Sequence, residues 1–225
     1  MLNGGRYPAL VIVDPLREFD DGVAYWASRR QWPSDLHNAF YRDQHAITDG
    51  TFSPAWWTRT RRRLYDWRAT RGASYADLDV RFQQHHADLV TIWRTVIQPR
   101  LAGDITTVTW EGVQVLLDLA ALIKPTRNNS GVFSSKLSHF IAPRLFPVLD
   151  ETALPGRRHD YRSYFNLVKN IWYDTSPVDQ EALRERLTTL VQVRSGGPVF
   201  DGFPLVNKIV ELRLIGRHHP TGVAR

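Results

Sequence analysis

The chain has 225 residues, a mass of 25.9 kDa, a formal net charge of +6 and a pI near 9.8. With 43% hydrophobic and 23% charged residues it has the composition of a folded protein that can bury a core without staples, not of a disordered one. The lack of Cys excludes disulfides, thiol nucleophiles and Cys-ligated metal or iron–sulfur centres, and no apolar run approaches the ~20 residues of a membrane span.

Residues 1–32 read as irregular, with Leu10–Val13 a short strand ended by Asp14-Pro15. Met1–Arg6 lack the basic-then-apolar layout of a secretion signal, so the expected location is cytoplasmic. Ser34 is placed to cap a helix over 35–47, and Pro54 opens one that Gly72 stops. Within it, helical spacing sends Trp57, Leu64 and Trp67 to a core and Arg59, Arg62 and Arg63 to solvent or phosphate. Ser74 and Asp77 resemble a capping box opening a long helix through Leu78, Phe82, His85, Leu89, Ile92 and Val96. Further helices are expected over 109–123, 133–142 and 160–173. Ser176-Pro177 starts another that ends near Val193, and the last covers 205–215. The class is therefore all-α, with a boundary near residue 72 separating 1–72 from 73–225.

Basic residues concentrate between 51 and 100, where nine Arg face four acids. A basic, aromatic stretch suits a polyanion such as nucleic acid. Only four bases are Lys: Lys124, Lys136, Lys169 and Lys208. No Walker loop, dinucleotide fingerprint, nucleophile elbow or metal-ligand spacing is present, so neither cofactor nor metal is expected. Lys208, Arg213 and Arg217 are read as additions to a basic surface.

The segment 129–154 carries chemistry. Lys136 sits among apolar and small residues in a short helix, where desolvation favours its neutral, nucleophilic form. His139 and Phe140 share its face. Asp150 follows a proline-bounded loop and is placed to cap the next turn with its carboxylate towards Lys136. Such a carboxylate would stabilise the oxocarbenium character of a breaking glycosidic bond.

Gly131-Val132, Lys136 and Pro147-Val148-Leu149-Asp150 resemble, in order, the catalytic part of the helix-hairpin-helix base-excision DNA glycosylases. The likeness is greatest to bacterial proteins described as having an 8-oxoguanine-glycosylase fold. It implies an all-α protein that binds duplex DNA, flips out a damaged or modified base such as an oxidised purine, and excises it. By this resemblance Lys136 is the Schiff-base nucleophile, with AP-lyase activity, and Asp150 assists. DNA contacts fall to Ser130, Gly131, Ser134, Ser135, Arg157, Arg158 and His159, and His139 and Phe140 become base-pocket candidates. A monomer is the favoured state. Phe133 stands where the family's hairpin has its second Gly, and one extra residue precedes Lys136. The second reading is therefore a non-catalytic DNA-binding or protein-interaction module, with Lys136 and Asp150 a structural ion pair.

Overall fold

Asp14 begins the first element of the computed structural model, which describes residues 14–125, 131–155 and 160–221. Its side chain accepts from the N–H groups of Leu16 and Arg17, and Pro15 takes the first helical position. The helix α1 (Pro15–Ala27) therefore stands where irregular chain was expected. The proposed strand Leu10–Val13 lies outside the described residues.

Nine more α-helices follow among the described residues, and no strand. They are α2 (Asn38–Ile47), α3 (Pro54–Asp66), α4 (Tyr75–Gln84), α5 (His86–Ile92) and α6 (Trp110–Ile123). After these come α7 (Val132–Ile141), α8 (Tyr161–Tyr173), α9 (Pro177–Ser195) and α10 (Leu205–His218). None is long and apolar enough to cross a membrane.

Ser53, Ser74, Thr109 and Ser176 cap α3, α4, α6 and α9 through their hydroxyls, and Gly196 closes α9 in the left-handed region. Several expected boundaries shift: α3 ends at Asp66 rather than at Gly72, because Arg68 already takes the left-handed position. Helix α2 starts at Asn38, because Leu36 and His37 both adopt positive φ, 54° and 73°. The long helix after Ser74 breaks at His85, beside the point where His86 Nε2 donates to Thr51 O at 2.8 Å; the continuation ends in a π-helical turn, Trp93–Ile97.

The first and last helices pack together. Gly22 lies on Leu212 and Gly216 on Glu18, so closely that a Cβ on either would overlap the opposing carbonyl. Arg213, buried, pairs with Glu18 at 2.9 Å and donates to Thr175 Oγ1 at 2.6 Å; Arg217 also pairs with Glu18. Neither Arg213 nor the buried Lys208 forms the basic surface read from the sequence, because each is used inside the packing. In α3, Trp57 and Leu64 are buried and Arg59 and Arg62 exposed, as expected, whereas Trp67 lies beyond the helix and is half-buried and Arg63 turns inward to Gln44 Oε1.

Helix α7 runs through the centre, buried from Phe133 to Ile141. A buried helix containing Ser, Lys and His must find partners for each polar atom, and those partners set the geometry of the site.

Candidate functional site

A cavity of about 880 Å³ opens between α1, the turn after α3, the first turns of α7 and one face of α10. Its volume lies in the range of small-molecule and cofactor sites. Trp26, Trp32, Trp67 and Phe133 contribute aromatic wall. Lys136 and Asp150 line it together.

Lys136 Nζ donates to Trp67 O at 2.7 Å. That oxygen is exposed to the lysine by the way α3 ends. Arg68 takes the left-handed position, φ 57°, normally given to glycine, and Ala69 N returns to Leu64 O at 2.8 Å. Lys136 as a whole is 9% exposed. Burial lowers its pKa below the ordinary lysine range; Asp150 and Glu211 oppose that shift, and Arg71 and Arg68 reinforce it. Lys136 and Asp150 form no direct ion pair: the lysine's hydrogen-bond partner is the Trp67 carbonyl.

Asp150 sits at the end of a segment fixed at three points. His139 Nδ1 donates to Phe146 O at 2.6 Å, Tyr161 Oη donates to Pro147 O at 2.7 Å, and Leu149 N donates to Ser135 Oγ at 3.3 Å. The carboxylate then accepts from Thr152 N at 3.3 Å, capping the following turn as its position in the sequence suggests.

His139 and Phe140 take a different place from the one expected. Both are buried, and neither lines the cavity. A carbonyl only accepts, so His139 Nδ1 carries a proton, and in the neutral ring Nε2 accepts from Tyr41 Oη at 2.9 Å. Burial pushes the His139 pKa down to about 3, with Lys208 and Lys136 adding to the shift against the Phe146 hydrogen bond. His139 is a fixed neutral strut and Phe140 packs edge-on against Trp67 at 4.8 Å.

Ser134 and Ser135 are likewise buried, 7% and 0% exposed, so their side chains do not offer hydroxyls to DNA. Ser135 holds α7 to the Asp150 segment instead. Gly131 is the N-cap of α7, and a Cβ there would meet Tyr161 Cβ at 3.1 Å. Ser130, Arg157, Arg158 and His159 lie outside the described residues.

Comparison with protein-family models, curated proteins and solved structures finds no match to this chain.

Three cavity residues were not singled out from the sequence: His37, Glu211 and Arg68. A signal existed for Glu211, since Lys208 and Glu211 stand three apart on α10, at the spacing of an ion pair on one helix face. A charge pair on a helix that is otherwise buried needs a partner or a use. His37 and Arg68 sit at left-handed positions, which only the backbone reveals.

Proposed function

We propose that the protein acts as a base-excision DNA glycosylase of the helix-hairpin-helix type, flipping a modified base from duplex DNA into this cavity. One observation carries the reading. A desolvated lysine and an aspartate line the same aromatic-walled cavity, on opposite sides of a loop whose backbone is tied down. Desolvation shifts Lys136 towards the neutral amine, and the Trp67 carbonyl takes one N–H and so aims the lone pair. The aromatic walls suit a planar base.

In this mechanism the Lys136 lone pair forms a bond to C1′ as the C1′–N bond to the base breaks. The base leaves with the bonding pair and takes a proton. The nitrogen on C1′ then loses a proton, and opening of the sugar ring gives the protonated Schiff base, the ring oxygen becoming a hydroxyl. Asp150 remains ionised and stabilises positive charge at C1′. Arg68, Arg71 and Lys124 at the cavity edge supply cations for the flanking phosphates.

The test is borohydride trapping on duplexes carrying oxidised, deaminated, hypermodified or abasic nucleotides, with Lys136→Ala and Asp150→Asn alongside. The expected result is a covalent adduct that Lys136→Ala abolishes. No adduct on any duplex, with both variants folded, removes the Schiff-base reading. Duplex affinity that falls steeply with salt would then leave a DNA-binding module.

A further inference from the structure

The α10 wall of the cavity holds a second polar group that the chemistry above does not use. Lys208, 2% exposed, places Nζ 2.7 Å from Glu211 Oε2 and over the Trp26 ring, 4.7 Å from its centroid. An ammonium has three N–H groups, and this carboxylate oxygen accounts for one. The pair engages Glu211 through Oε2, and both side chains line the cavity. Beside them stands His37, whose Nδ1 is buried with no hydrogen-bond partner. Burial, the Lys208 charge and His139 hold this imidazole neutral.

Buried polar groups in native proteins are almost always satisfied, by protein or by something bound. Here an ammonium–carboxylate pair and an imidazole whose Nδ1 has no partner border one cavity. The backbone accepts two consecutive left-handed residues, Leu36 and His37, at the position that brings the ring there.

We propose that Lys208, Glu211 and His37 form a recognition wall for the edge of a neutral heterocyclic base. The charge pattern selects the ligand class. An anion would be repelled by Glu211 and a cation by Lys208. A neutral edge carrying an N–H donor beside a carbonyl or ring-nitrogen acceptor satisfies both at once, because donor and acceptor must lie on neighbouring atoms to match groups 2.7 Å apart. Nucleobases have such edges, and the Trp26 ring borders the same space. Phosphate is thereby assigned away from this wall, to the side of Arg68, Arg71 and Lys124. The inference rests on the glycosylase reading only for how the base arrives; it replaces His139 and Phe140 as the residues that contact it.

The experiment is calorimetric titration of the full chain with guanosine, uridine, adenosine and cytidine, and with inorganic phosphate. It is repeated with Glu185→Gln, exposed on α9 and outside the cavity lining, and with the double variant Lys208→Met, Glu211→Gln, which removes both charges so that neither is left buried alone. We expect at least one nucleoside to saturate a single site and phosphate not to displace it. Glu185→Gln should keep that affinity within about twofold, and the double variant should lose about tenfold or more. If the double variant does not fold, His37→Phe, which removes the imidazole from the same wall, is expected to lower affinity severalfold. Absence of nucleoside binding, displacement by phosphate, or a folded wall variant that binds as the wild type overturns the proposal. Nucleoside binding that depends on the wall, with no adduct on any duplex, removes the catalytic reading and keeps the wall. Adducts with wall-independent nucleoside binding do the reverse.

Discussion

Gly22 of α1 and Gly216 of α10 meet with their Cα hydrogens inward, and a Cβ on Gly216 would stand 2.8 Å from Gly22 N. Backbone cannot move aside as a flexible side chain can, so either helix must lift away to admit a methyl group. Gly216→Ala is expected to destabilise the fold by about 3 kcal/mol, at the upper end of overpacking costs. Urea unfolding should show a lower midpoint at an unchanged m-value; an unmoved midpoint would mean the helices are not in this contact.

His139 makes the fold sensitive to acid. Its folded pKa of about 3 lies below the ordinary 6.5, so between those values the unfolded chain binds a proton that the folded chain refuses. Its contribution is complete above pH 6.5 and is lost as pH falls towards 3, with a limit on the order of 5 kcal/mol. His37, also depressed, acts in the same direction. His139→Asn keeps a donor for Phe146 O without the titration. Its stability should fall less between pH 6.5 and 4 than that of the wild type, and parallel curves would remove the assignment.

Lys136 should become reactive below the pH at which an ordinary lysine does. The charges around it predict opposite shifts from two variants. Asp150→Asn removes a charge that favours the ammonium, so the midpoint of adduct formation against pH moves down. Arg71→Ala removes one that opposes it, so the midpoint moves up. These are measured as trapping rates on an abasic duplex. Shifts of the same sign would show that the lysine does not sense these charges.

Arg68 stands at a glycine position after α3. Arg68→Gly is expected to stabilise the chain by about 0.5–1 kcal/mol, since a left-handed side chain costs more than glycine's extra freedom. The same change should weaken duplex binding and reduce the salt slope by about one. A gain in stability with unchanged salt dependence would separate Arg68 from phosphate binding.

Much of the fold was legible because capping residues act locally. Ser74, Thr109 and Ser176 each hold the N–H three residues on, as their sequence context indicates. Helix α1 was obscured by Asp14-Pro15, which ends a strand as readily as it opens a helix, and by Gly22 in its middle. That glycine is explained only by α10, far along the chain. For the site, Lys136 and Asp150 were found by type and order. Ser134 and Ser135 as DNA contacts, and His139 and Phe140 as base-pocket residues, follow from the resemblance alone, which carries no information on how deeply this helix is buried. Helix α7 is buried on all sides, so its polar residues serve the interior. Lys208 looked like a surface base because its burial depends on Trp26 and Glu211, and neither Trp26 nor the enclosing α1 can be read from α10.

The contact between α1 and α10 also orders events during synthesis. Glu18 and Arg213 are 195 residues apart, so the face of α1 that α10 covers stays open until α10 has been made. Until then Gly22 lacks the Leu212 backbone on which it packs, and the cavity lacks its α10 wall. A nascent chain stopped before α10 presents that face to chaperones or to other copies of itself.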